Sequence, residues 1–111
     1  MQKDERAELR KAFSEAVNMT PAQLETWLRS TQSREVGFHR DGADESVGHA
    51  SGRRIVAIKR KRVVDLTAAD YSHMRKVIGY VHRHLAQRPK GDVRDTPWRR
   101  SLMNWGHDPL K

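Results

Sequence analysis

The chain has 111 residues, of which 22 are Lys or Arg and 14 are Asp or Glu, giving a formal net charge of +8 and a pI near 10.4. That length builds one domain and not two independent cores. With no Cys, disulfides and thiolate metal sites are excluded, and no apolar run approaches membrane-spanning length.

Hydrophobic residues make up 36% and charged residues 32%, so the core is thin. Amphipathic helices, each burying one stripe, build such a core most easily. The opening MQKDERAELRK is charged throughout and does not read as a secretory signal. A cytoplasmic address is therefore expected, and the absence of Cys fits a reducing compartment.

Residues 4–17 are predicted as a helix, because Leu9, Phe13, Ala16 and Val17 share one face. Thr20 opens a second. It is a good N-cap, Pro21 suits the first helical position, Gln23 completes a capping box, and Met19 and Leu24 can staple the start. Leu24, Trp27 and Leu28 form its stripe, and it is predicted to end near Ser30. The pattern is then lost from Thr31 to about Ala43, with turns at Gly37, Asp41 and Gly42, while Val36 and Phe38 are expected to tuck back onto the core. A third helix starts between Asp44 and Ser51 and ends near Arg62, with Val47, Ile55 and Ile58 inward. Gly48 and Gly52 each cost about 1 kcal/mol in a helix interior. They lie on one face, where another backbone could come close. A loop up to Ser51 is the equal alternative.

Val63–Leu66 connects to a fourth helix, opened by Thr67 with Asp70 three residues on and Leu66 and Tyr71 as staple. Tyr71, Met74, Val77, Ile78, Val81 and Leu85 trace its stripe, the clearest in the chain. Pro89 and Gly91 end it. A last helix starts at Thr96-Pro97 and buries Trp98, Leu102 and Trp105, with Gly106 just past its end. The expectation is an all-α single domain, residues 1–111, of four or five helices. The helix within residues 1–19 is placed at the periphery, and residues 31–45 form an irregular connection. The third and fourth helices could form a helix-turn-helix.

The charge is not evenly spread. Residues 53–90 hold eleven cations and two carboxylates, a net +9, while residues 1–31 are neutral and residues 32–52 carry −2. Charge placed only for solubility would not partition this way. It falls into a run on the third helix, Arg53, Arg54, Lys59, Arg60, Lys61 and Arg62, and a face on the fourth. At about 100° per residue, Ser72, Lys76, Gly79 and Arg83 point away from the apolar stripe. Arg75 and His82 border the stripe on one side and His73 and His84 on the other, and Tyr80 lies on the far surface. Gly79 leaves a gap where a phosphate backbone could approach. These eleven residues, Arg53, Arg54, Lys59, Arg60, Lys61, Arg62, Ser72, Arg75, Lys76, Gly79 and Arg83, are the candidate nucleic-acid-binding set.

Catalytic and metal chemistry find little support. The six His residues show no HExxH or similar ligand spacing, and no phosphate loop, catalytic triad or carboxylate pair stands out. No catalytic residue, metal ligand or cofactor is assigned. The three Trp residues lie on apolar stripes and read as core, which ranks single-stranded RNA below duplex DNA as a partner.

The segments TPAQLETWL, ESVGHASGRRIV, LTAADYSHMRKVIGYVHRHLAQRP and DTPWRRSLMNWGHDPLK resemble a family of small bacterial proteins classed as a domain of unknown function. The resemblance runs from Thr20 to Lys111, and its last two segments are the most specific. Genomes often label its members "DNA-binding protein", and the resemblance carries no catalytic residues. Together these readings lead to the expectation of a non-enzymatic DNA-binding module, cytoplasmic or nucleoid-associated, with RNA a second nucleic-acid partner and no membrane. The alternative is a protein-interaction module that docks an acidic partner or forms a homodimer.

Overall fold

A computed structural model describes residues 2–111. It contains α1 (Lys3–Ala16), α2 (Pro21–Leu28), α3 (Thr31–Glu35), α4 (Val47–Arg60), α5 (Ala68–Leu85) and α6 (Pro97–Asn104), with a 3-10 turn at Val63–Asp65. There is no strand among the described residues. The all-α reading holds.

Most helix starts follow from local chemistry. The Thr20 hydroxyl accepts from the Gln23 N–H at 3.1 Å, and the Gln23 side chain accepts from the Thr20 N–H at 3.0 Å. Thr67 and Asp70 form the same reciprocal box on α5. Thr96 caps α6, with Pro97 in its first turn. On α4 the Ser46 hydroxyl accepts from the His49 N–H at 3.0 Å, so the helix starts at Val47. The earlier of the two predicted starts is the right one, and the helix ends at Arg60.

Gly48 and Gly52 survive inside α4 because α6 arrives there. A Cβ at Gly52 would lie 2.6 Å from the Asn104 carbonyl oxygen, and one at Gly48 would lie 2.9 Å from Trp105 Nε1. Close packing offsets the conformational cost of the two glycines.

The helices pair as α1 along α5 and α2 along α4, and α6 touches α2, α3, α4 and α5. α4 and α5, the two halves of the suggested helix-turn-helix, pack mainly on α2 and α1 and little on each other. The core centres on Leu24, Ile55, Val77, Val93 and Leu102, all fully buried. No helix of the described residues is long and apolar enough to cross a membrane.

Three expectations need correction. α1 is not peripheral: Phe13, Ala16 and Val17 enter the core, and Arg10 donates to the Tyr71 hydroxyl at 2.8 Å. The 31–45 connection is not wholly irregular, because α3 opens it. This helix has no apolar stripe to reveal it. Its buried residue is Ser33, whose hydroxyl donates to Asn104 Oδ1, while Asn104 Nδ2 donates to the Ser33 carbonyl at 3.0 Å. Trp27 Nε1 donates to the same Asn104 oxygen at 2.8 Å. Phe38 does not tuck inward. It is 72% exposed, on a segment turned at Gly37 (φ +95°) and held over α4 by the Val47 N–H to Phe38 carbonyl bond of 2.9 Å.

The C-terminal tail is clamped to the N-terminal half. Arg99 makes a two-armed pair with Asp108, Asn18 and Asp108 exchange two hydrogen bonds, and Lys111 reaches Gln23 at 2.8 Å.

Candidate nucleic-acid interface

The six cations from Arg53 to Arg62, on α4 and just past its end, come first, because the sequence places most charge there. Folding brings a carboxylate to five of the six. Arg53 pairs with Glu45 at 2.6 Å, Arg60 with Glu25 at 2.8 Å, and Arg62 with Asp65 at 3.1 Å. Lys61 and Arg54 share Asp70, at 2.7 and 3.8 Å. Asp70 is buried, and it also accepts from the Thr67 N–H. The Lys61 ammonium, then the Thr67 backbone, hold its carboxyl below the usual range. The Arg53 guanidinium holds Glu45 down to about 2, against the opposing effect of burial.

Lys59, the sixth, is half-buried. Its ammonium contacts the Val17 carbonyl at 3.4 Å, and burial, then Lys111, pulls its pKa down. Two carboxylates from outside residues 53–90, Glu25 and Glu45, thus fold onto the segment and reduce its +9 to +7 in space.

α5 is different. Ser72, Arg75, Lys76 and Arg83 are exposed. Among the described residues no carboxylate lies within ion-pairing distance of Arg75, Lys76 or Arg83. Lys76 and Arg83 stand seven residues, hence about 10 Å, apart along the axis. Gly79 does not leave an open gap between them. The Arg83 guanidinium folds back over it, 2.9 Å from where a Cβ would sit.

Tyr80, expected on the far surface, is half-covered by α6. Its ring stacks on Trp105 at 4.2 Å and on His84 at 5.1 Å, and the ladder continues to Trp98 at one end and His73 at the other. Each such contact adds about 0.5–1.5 kcal/mol beyond area burial. The Trp residues are therefore structural, as the sequence suggests, with Trp98 and Trp105 buried.

Where α6 meets α5 and the 37–47 segment, a cleft of about 290 Å³ opens. Phe38, Val47, Tyr80 and Trp105 supply apolar lining, and Lys76 and Arg83 supply charge. A neighbouring recess shares Val47, Lys76 and Trp105 and adds Arg40, Arg54 and His73. Burial, then the nearby Arg54 and Lys76, lowers the His73 pKa. Burial also lowers His84 and raises Tyr80.

His49, His84 and His107 are used in packing. His49 bridges the Glu45 carboxylate and the Leu28 carbonyl, His84 donates to the Trp98 carbonyl at 3.0 Å, and His107 donates to the Ala16 carbonyl at 2.7 Å. Among the described residues no three His, Cys, Asp or Glu side chains gather as a metal site.

The family model for "Protein of unknown function (DUF3140)" matches residues 12–103. The chain belongs to this family. The DUF3140 match begins inside α1, earlier than the Thr20 boundary expected from the resemblance, and stops before the C-terminal tail. It takes in every cation of α4 and α5 and the cleft lining except Asn104 and Trp105. Neither the curated proteins nor the solved structures hold a match to the chain.

The structure divides the eleven candidates. Arg53, Arg54 and Arg60 on α4 and Lys61 and Arg62 just past it are engaged by carboxylates and Lys59 by a carbonyl, while Arg75, Lys76 and Arg83 on α5, with Ser72, have no carboxylate partner among the described residues. Sequence reasoning missed Phe38 as a surface residue. The turn glycines Gly37 and Gly42 on either side of it were the available signal that the segment leaves the core.

Proposed function

We propose that the chain is a non-enzymatic module that grips the phosphate backbone of DNA through the outer face of α5. The observation that carries this reading is the exposed trio Arg75, Lys76 and Arg83, none with a carboxylate partner among the described residues. Cations without internal partners are the ones that can release counterions from DNA at no cost in native contacts. The cations from Arg53 to Arg62, the half-buried Lys59 apart, join only by giving up carboxylates they already hold. Contacts of this kind read the backbone and not the bases, so binding is largely independent of sequence. The label that genomes attach to the family the sequence resembles points the same way, and a place on the nucleoid would follow.

The test is DNA affinity measured against salt, with duplex DNA, single-stranded DNA and RNA side by side. Three neutralised phosphates give a log–log slope of about −2.7, or about 40-fold weaker binding over a fourfold rise in salt. A dissociation constant that stays flat over that range overturns the proposal.

A second reading rests on a separate observation. Val63 and Val64 are exposed at the turn between α4 and α5, Val64 to 80%. An apolar tip beside Arg62 suits a protein partner with an acidic rim. Association that survives nuclease treatment and is lost in Val64→Ser favours that reading.

A further inference from the structure

We infer that the cleft between the 37–47 segment, α5 and α6 holds one unpaired nucleotide of a DNA strand, its base against Phe38 and its phosphate between Lys76 and Arg83. This rests on the backbone-binding reading above and extends it to a defined site.

Three features of the cleft converge. First, Phe38 lines the cleft and leaves a large ring 72% exposed. Burying such a ring is worth about 1.5–3 kcal/mol, which folding alone does not collect here. Second, the lining behind it is apolar, from Val47, Tyr80 and Trp105, and the space is of small-ligand size. Tyr80 already stacks on Trp105 and on His84, so its ring faces are taken. Phe38 is the aromatic face left for a base. Third, Lys76 and Arg83 also line the cleft, from α5, with no carboxylate within ion-pairing distance among the described residues.

An aromatic surface beside unpaired cations is the arrangement that binds single strands, because every base has a π-face and every nucleotide a phosphate. A base inside a duplex is stacked on both sides and cannot enter. The chemistry therefore selects strand ends, gaps and single-stranded stretches over intact duplex. An acidic peptide would satisfy the two cations but has no flat ring for Phe38.

The experiment measures fluorescence anisotropy with a labelled thymidine strand and a blunt duplex of mixed sequence. Wild type, Phe38→Ala and Phe38→Trp are compared, each checked by thermal melting. Because Phe38 is exposed, both variants are expected to melt as the wild type does. Phe38→Ala should bind the single strand about tenfold more weakly and the duplex within twofold of wild type. Phe38→Trp should keep the single-strand affinity. Equal single-strand affinity in wild type and Phe38→Ala overturns the cleft proposal, even where duplex binding remains salt-dependent. Absence of salt-dependent binding to either probe overturns the backbone reading and the cleft together. Displacement of the labelled strand by polyglutamate as readily as by unlabelled strand also overturns the cleft proposal, since it marks a site blind to the base.

Discussion

Replacing Lys76 and Arg83 together by Gln removes two of the three free cations on α5 and leaves the α4 run untouched. Replacing Arg53 and Arg60 together removes the same formal charge, but from positions already held by Glu45 and Glu25 at 2.6 and 2.8 Å. On composition alone the two double variants are equivalent. In the folded chain they are not. Each cation that neutralises a phosphate contributes about 0.9 to the salt slope. Lys76→Gln with Arg83→Gln should therefore flatten the slope from about −2.7 to about −0.9. Arg53→Gln with Arg60→Gln should leave it within about 0.5 of wild type, because those guanidiniums bring no uncompensated charge to DNA. The assay is anisotropy of a labelled duplex across a salt series, with each variant's melting temperature confirming the fold. A larger loss of slope in the Arg53/Arg60 pair than in the Lys76/Arg83 pair would refute the reasoning and return the site to α4.

Asp70→Ala removes a buried carboxylate that serves Lys61, Arg54 and the Thr67 N–H. Loss of the cap and of the buried partner should cost about 2–4 kcal/mol and lower Tm by roughly 10–15 °C; a fall of less than about 3 °C would contradict it. Glycine-to-alanine changes should have opposite signs at two positions. Gly52→Ala drives a Cβ into the Asn104 carbonyl and Leu28 and should destabilise by about 1–3 kcal/mol. Gly79→Ala meets only the mobile end of Arg83 and should stabilise by about 0.5–1 kcal/mol, both read by chemical denaturation. Stability should fall steadily with acid. His73 and His84 have depressed folded pKa values, so the unfolded chain binds protons first as pH drops below about 6.5. Glu45 and Asp70 are depressed too, and their contribution is lost as pH falls from about 4.5 toward 2. Melting curves across pH 7 to 2 check this, and Glu45→Gln should flatten the lower part.

Helix starts were legible where a capping Thr came with a Pro or a capping-box partner, as at Thr20, Thr67 and Thr96. These are contacts over three residues, so local sequence contains them whole. α3 was not legible, because it is secured by Asn104, 71 residues away, through a hydrogen-bond network that leaves no periodic trace. The earlier α4 start has a local cap at Ser46, but the two glycines that argued against it are explained only by α6 lying against Gly48 and Gly52. Spacing showed that the glycines share a face; what approaches that face is a tertiary fact. Tyr80 failed for the same reason. A helical wheel drawn around the apolar stripe of α5 places it outside, and Trp105 then covers it.

Charge raises this difficulty in its sharpest form. A count along the chain finds the sign of a region, because Lys and Arg keep their charge wherever they lie. Availability depends on partners, and partners arrive from a distance. Glu45 is 8 residues from Arg53, Asp70 is 9 from Lys61, and Glu25 is 35 from Arg60. The first two could be guessed from neighbouring elements, but the third depends on α2 lying along α4. The denser cluster is thus the more heavily neutralised, since packed cations repel one another and the fold is more stable with carboxylates among them. The sparser face of α5 has no such requirement. Its three cations are exposed, so water and salt screen their mutual repulsion, and none has a carboxylate partner among the described residues. Density of charge in a sequence is therefore a poor guide to the surface that meets an anion. The better guide is exposed charge that no carboxylate of the fold reaches.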